Sequence, residues 1–170
     1  MGAGGPQQAA RFSPYEFNGG TALGISGDDF AVVAADTRLS EGYGILSRSV
    51  SKARLLTPRC VVATGGCWTD VATLHRVLAQ TCDAYKSKHE CDVATPGVAQ
   101  MLGNTLYGRR FFPYYAFNVV AGLDADGKAS ARRSRTSNRA GESAGPRRGA
   151  PPGSIDRRRA LALLLDARRS

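Results

Sequence analysis

Beyond Phe117 the sequence holds no aromatic residue, and beyond Lys128 no lysine. A segment so poor in large apolar groups cannot offset its own chain entropy by burial, which excludes residues 129–170 as a folding core. Cysteine is sparse as well. Cys60, Cys67, Cys82 and Cys91 form no CxxC pair, and no secretory leader precedes them, a pattern expected of free thiols in a reducing compartment. Cys82, His89 and Cys91 match no common zinc spacing, so no metal is expected. Only two histidines, His75 and His89, are present, too few to give Ser-His-Asp chemistry much to draw on. His75 is expected on the solvated side of its helix. No apolar run approaches the ~20 residues of a membrane helix, so a soluble protein without a membrane partner is expected. The start, Met1-Gly2-Ala3-Gly4-Gly5-Pro6, places proline where a myristoylation signal requires Ser or Thr.

What is there is unevenly spread. Of 23 lysines and arginines, 11 are arginines beyond residue 129, facing only Glu142, Asp156 and Asp166, so the net charge of +9 sits almost wholly in the last quarter. All 13 aromatic residues lie between Phe12 and Phe117. An organised body, a polar leader over residues 1–10 expected to be disordered, and a solvated tail over residues 129–170 follow from this split.

The body alternates between two periods. Residues 21–26 and 30–36 read as strands around the turn Gly27-Asp28-Asp29. The second strand, Phe30-Ala31-Val32-Val33-Ala34-Ala35, is apolar on both faces and is expected to be covered on both. Residues 43–46, 52–56 and 60–64 read as further strands, and Gly65-Gly66 as a tight strand-to-helix crossing. Val71, Leu74, Leu78, Cys82 and Tyr85 share one face of a helix over residues 69–86. Thr95 is expected to cap a second helix with Pro96 at its first position, and Val98, Met101, Leu102, Thr105 and Leu106 give that helix its apolar face. A strand over 115–122 then meets a hairpin turn at Asp124-Ala125-Asp126-Gly127-Lys128. The returning strand is missing from the pattern: Ala129-Ser130-Ala131-Arg132-Arg133-Ser134-Arg135 lacks β-branched residues, which leaves 115–122 as an open edge.

Three segments carry a resemblance. Phe12-Ser13-Pro14-Tyr15 leads to Asn18-Gly19-Gly20-Thr21; Val32-Val33-Ala34-Ala35-Asp36-Thr37-Arg38 follows; Arg110-Phe111-Phe112-Pro113-Tyr114-Tyr115-Ala116-Phe117-Asn118 then runs on to Gly122-Leu123-Asp124. In this order and spacing they resemble the beta subunits of the proteasome, and the third segment points to the non-catalytic member at the sixth beta position. The match covers residues 11–128. It implies an α+β fold, the α/β/β/α sandwich of the N-terminal nucleophile hydrolases, of which this body is about the first half. It also implies a place in the beta ring of the 20S core, in the cytoplasm and nucleus, with other alpha and beta subunits as partners and threaded proteins as substrates. No cofactor is implied.

Active members of the family attack with an N-terminal threonine whose freed amine serves as base, tuned by an aspartate and a lysine. By the resemblance those two residues fall on Asp36 and Lys52, and the nucleophile position falls on Gly20, which has no hydroxyl. No catalytic residue is therefore expected. Cleavage between Gly20 and Thr21 would offer Thr21 as an alternative nucleophile, but a one-residue slip on a strand turns the side chain to the opposite face. Each position also has a plain reading: Lys52 a surface lysine, Asp36 a strand end paired with Arg38, Gly66 a turn glycine instead of the donor of an oxyanion amide.

The tail departs from the family. Its Arg, Ala, Ser, Gly and Pro composition is what GC-rich coding sequence yields in a shifted frame, and such a frame change near residues 128–130 is expected. Arg132-Arg133-Ser134-Arg135, Pro146-Arg147-Arg148 and Arg157-Arg158-Arg159 could neutralise phosphates. With no interleaved aromatic, specific nucleic-acid binding is not expected. Residues 160–166 could coil into a short helix. With half of the sandwich absent, the apolar faces of sheet and helices are expected to lack cover, and the isolated chain to fold poorly.

Overall fold

The structure, a computed structural model, describes residues 14–124, 126–135 and 160–166. The expected leader over residues 1–10, and most of the arginine runs of the tail, lie outside the described residues.

Among the described residues nine strands and two helices follow in the order β1 (Ala22–Ser26), β2 (Phe30–Asp36), β3 (Leu39–Glu41), β4 (Gly44–Ser47), β5 (Ala53–Thr57), β6 (Cys60–Gly66), α1 (Trp68–His89), α2 (Thr95–Gly108), β7 (Ala116–Leu123), β8 (Ala129–Arg135) and β9 (Ala160–Asp166). They build an antiparallel sheet β1-β2-β9, a small hairpin β3-β4, and an antiparallel sheet β5-β6-β7-β8.

The two larger sheets pack face to face. Alternation on β2 turns Ala31, Val33 and Ala35 inward, where they meet Ala53, Val61, Ala63, Ala121 and Leu123 of the facing sheet. Small residues dominate that seam, so the backbones approach closely: a Cβ added at Gly24 would come within 2.6 Å of Val119 Cγ1. Both helices cover the other face of β5–β8. Val71, Leu74, Leu78 and Cys82 of α1 and Val98, Leu102 and Leu106 of α2 close over Leu56, Val62 and Val120. Each fully buried leucine here stabilises the fold by about 1.5–3 kcal/mol. The helix α1 stops at Glu90, which takes a left-handed φ of 55° and donates its N–H to Lys86 O; Lys86, Lys88 and His89 sit where the helix dipole favours cations.

Several expectations need correcting. A returning strand does follow the hairpin turn: β8 pairs with β7 from Leu123↔Ala129 to Phe117↔Arg135, so β7 is no open edge. Gly127, at a φ of 75°, supplies the turn, and Ala129 and Ala131 point into the seam between the sheets. Small side chains suffice there because the partner strand dictates the register. The segment Ala160–Asp166 is a strand rather than a helix, antiparallel to β2 from Phe30↔Asp166 to Asp36↔Ala160. Within residues 129–170 the described segments 129–135 and 160–166 are thus strands. The strand β2 is buried on one face only; Val32 and Ala34 on the other are half-buried. Among the described residues cover is missing on that outer face, where Leu23, Ile25 and Phe30 are exposed, and also on the β3-β4 hairpin at Tyr43, Ile45 and Leu46, at Leu55, and on the turn after α2 at Phe111 and Phe112. The strand β3 had no signal in the sequence.

Thr95 is not a cap. It is the first residue of α2, behind Ala94, and its buried hydroxyl donates to Leu123 O at 3.1 Å. That bond requires a glycine opposite: a Cβ at Gly122 would lie 2.6 Å from Thr95 Oγ1 and 2.2 Å from Arg59 O. Among the described residues no helix is long and apolar enough to cross a membrane.

Candidate functional site

The first strand begins beside a buried charge. Lys52, only 2% exposed, precedes β5 and points its ammonium at Asp36, the last residue of β2, at 3.1 Å from Oδ1 and 2.9 Å from Oδ2. Its remaining N–H donates to the carbonyl of Arg38. All three ammonium donors are thereby engaged. Asp36 also accepts the N–H of Thr21 at 2.8 Å through Oδ1. So Lys52 is no surface lysine, and Asp36 pairs with Lys52 rather than with the side chain of Arg38. Both signs of charge are held at the mouth of the sandwich without a titratable group left open.

Gly20 faces this pair. It takes a φ of +125°, and a Cβ built on it would lie 3.3 Å from Lys52 Nζ and 3.1 Å from the Cα of Gly65. The direction in which a side chain would leave Gly20 is thus the direction of the ammonium. Thr21 is the next residue along, exposed, and its backbone carbonyl accepts the N–H of Asp36 at 3.1 Å. Gly20 and Thr21 both line a cavity of about 300 Å³, with Phe17, Phe117, Asn118 and Arg133.

Residues 18–20 lie along the end of β6 like an added strand. Asn18 donates its N–H to Gly66 O at 3.2 Å, and Gly66 donates its own to Gly19 O at 3.1 Å. The Gly66 amide is therefore occupied by the chain itself. Gly66 takes a φ of +128°, and a Cβ there would fall 2.3 Å from Tyr115 O, so the position admits glycine alone.

Asn18 is the residue whose role sequence reasoning missed. Buried, it accepts the first amide of α1, Trp68 N–H, at 2.8 Å on Oδ1 and donates from Nδ2 to Ser40 O at 3.1 Å. It caps a helix whose own N-cap, Cys67, offers no side-chain bond. An asparagine before two glycines hints at such work, but its helix lies far along the chain.

His75 also departs from expectation. It is buried and its Nε2 lies 2.8 Å from Thr64 Oγ1, while that hydroxyl donates to Asn118 Oδ1 at 3.0 Å. The hydroxyl proton being spent on Asn118, Nε2 must carry the hydrogen and donate. Burial, with Arg54 adding repulsion, pushes the imidazole down to about 4. It is a neutral structural bridge between α1, β6 and β7. Burial raises the Cys82 thiol and pushes that of Cys60 up to about 12, which leaves both poor thiolates. His89 stacks near Tyr85 at 4.3 Å between centroids, and Cys91 is exposed.

Sheets packed face to face beneath a helix pair, with a buried cation aimed at the start of the first strand, constitute the N-terminal nucleophile hydrolase fold in its α+β form. The chain belongs to the proteasome subunit family, which matches residues 16–131. It is 48% identical over 122 residues to proteasome subunit beta type-1 of Petunia hybrida, covering 72% of this chain and 55% of that protein. The proteins of that name from Arabidopsis thaliana and Drosophila melanogaster are each 50% identical, over 72% and 69% of this chain and 55% and 50% of theirs. The chain thus spans about half the length of the curated relatives it matches.

Proposed function

We propose that this chain is a structural, non-catalytic beta-type subunit of the 20S proteasome core. In this reading it helps wall the chamber in which the complex carries out threonine-type, ubiquitin-linked protein degradation. The observation that carries the reading is the pairing of Gly20 with Lys52: a cation and an aspartate frame the place of a nucleophile, and the residue there has no hydroxyl. Catalysis by an acyl-enzyme needs an attacking oxygen or sulfur within reach of its base, and Gly20 provides neither. Asp36, Lys52 and Gly66 are then vestigial positions that serve structure. The ammonium bonds two segments to β2, and the Gly66 amide bonds the entering chain.

Thr21 as an alternative nucleophile is disfavoured by the contacts of the ammonium: it lies 3.3 Å from where a Gly20 side chain would begin, and its three bonds go to Asp36 and Arg38 instead of to the Thr21 hydroxyl. Nucleic-acid binding through the arginines is disfavoured as well, since Arg132 and Arg133 are part of β8 with no interleaved aromatic for stacking. Partners in this reading are the other alpha and beta subunits, the compartment is cytoplasm and nucleus, and protein substrates pass through the chamber without a cofactor. The family match ends at residue 131, which supports a change of reading frame close behind it.

Incorporation tests the proposal. The full chain, tagged and co-expressed with the remaining core subunits, is expected to co-sediment with the assembled barrel. A chain that stays at monomer size while the barrel assembles without it would overturn the reading.

A further inference from the structure

The segment that most strongly carries the family resemblance, Arg110 to Asn118, opens in a turn, Arg109 to Pro113, that takes no part in the site and yet is firmly held. This turn joins α2 to β7, and its rings point outward: Phe111 is 87% exposed, Phe112 60% and Tyr107 63%. Exposure is not looseness here. Backbone bonds from Arg109 N to Leu106 O (3.2 Å), Arg110 N to Tyr107 O (3.1 Å) and Phe112 N to Arg109 O (3.1 Å) fold the turn. The phenol of Tyr15 ties it down by donating to Pro113 O at 2.7 Å, and the Tyr15 ring stacks on Phe112 at 5.6 Å between centroids. The rings continue inward as a row, Tyr15 to Tyr115 at 5.7 Å and Tyr115 to Phe117 at 5.5 Å.

Two cations ride on this surface. The Arg110 guanidinium stands 4.4 Å from the Phe111 centroid and 5.0 Å from that of Tyr107, and Arg109 stands 5.4 Å from Tyr114. Among the described residues neither arginine is in an ion pair. A guanidinium held over a ring face keeps N–H donors for a carboxylate. Rigid exposed aromatics interleaved with arginine are the composition of the energetic centre of a protein interface, and a pre-folded turn avoids much of the ordering cost of binding.

We infer that the turn from Tyr107 to Pro113 is a docking knob for a neighbouring polypeptide of the assembly, which receives Phe111 and Phe112 in an apolar recess rimmed by carboxylates. The recess supplies dispersion contact to the rings, and the carboxylates pair with Arg109 and Arg110. This rests on the structural-subunit reading, with one neighbouring subunit as occupant and not a substrate in transit.

Co-expression of the tagged full chain with the other core subunits tests it, with the incorporated fraction read by native mass spectrometry. Arg109→Glu/Arg110→Glu and Phe111→Ser/Phe112→Ser are each expected to lower incorporation at least tenfold. Ile45→Ser, on the exposed β3-β4 hairpin, is expected to leave it unchanged. Arg110 rests on the exposed rings of Phe111 and Tyr107 whereas Arg109 stands over the buried Tyr114, so Arg110→Glu alone, at an unchanged urea midpoint, tests the knob without threatening the fold. Wild-type incorporation matched by both double variants would overturn the knob and leave the subunit reading standing, as would a turn that crosslinks only to chamber substrate. Failure of the wild-type chain to incorporate would overturn both.

Discussion

The carbonyl of Gly19 accepts the N–H of Gly66 at 3.1 Å, so the chain entering the first strand occupies the amide that active relatives are expected to offer an oxyanion. The same stretch is pinned on its other side by Asn18, which bonds both Trp68 and Ser40. The entry segment is thereby fastened to the end of β6 and to α1.

Gly66, the last residue of β6, leaves no room for a side chain. An alanine there would place its Cβ 2.3 Å from Tyr115 O at a φ of +128°, combining left-handed backbone strain with a clash against a strand that cannot yield cheaply. Gly66→Ala is expected to cost more than about 3 kcal/mol, read as the urea midpoint of the purified chain. An unchanged midpoint would mean that β7 moves freely.

Restoring a hydroxyl does not restore a nucleophile. Gly20→Thr puts an L side chain at a φ of +125°, 3.1 Å from the Gly65 backbone, and is expected to destabilise the intact chain by on the order of 1–3 kcal/mol. Hydrolysis of a fluorogenic peptide by the variant is expected to stay at the level of the parent. A gain in turnover would contradict the account of this position.

Lys52 and Asp36 support one another at 2.9 Å, with side chains 3% and 30% exposed. Lys52→Met removes the cation and leaves a carboxylate that water can only partly reach. A loss of about 3 kcal/mol is expected, the low end for breaking a buried pair because Asp36 is partly solvated. Asp36→Asn should cost at least as much, since the ammonium it strands is the more deeply buried. The comparison of the two urea midpoints checks the assignment of burial.

His75 makes stability depend on acidity. Its folded value of about 4 lies below the ordinary 6.5, so the unfolded chain binds the extra proton. Stability is therefore fully present above pH ~6.5 and falls as pH drops toward ~4, by on the order of 2–3 kcal/mol from this group. His75→Gln is expected to lower stability at pH 7 and to flatten the curve between pH 6.5 and 4.5. If wild type and variant show parallel curves, the imidazole is not the group responsible.

How much of this was legible depended on where each residue's partner lay. The strand Phe30–Asp36 and the faces of both helices announced themselves, because Val32 and Val33 or Leu74 and Leu78 carry a period that needs no distant information. Lys52 and Gly20 could be matched only through the family spacing; their mutual direction is a property of the folded backbone. The burial of His75 has no local signal, since its partner Thr64 lies on the preceding strand and is itself held by Asn118 of β7, far along the chain. The strand β8 was overlooked because its alanines and arginines have little strand propensity, and pairing with β7 overrides that preference.

The proposed structural role requires that nothing in this chain attack a peptide bond once the chain is part of the ring. Its most direct test is the intact mass of the chain released from an assembled particle that has been treated with an electrophile specific for N-terminal threonine. The account predicts an unlabelled chain whose N-terminus lies upstream of Gly20, at Met1 or Arg11. A chain beginning at Thr21 and carrying the label would contradict it.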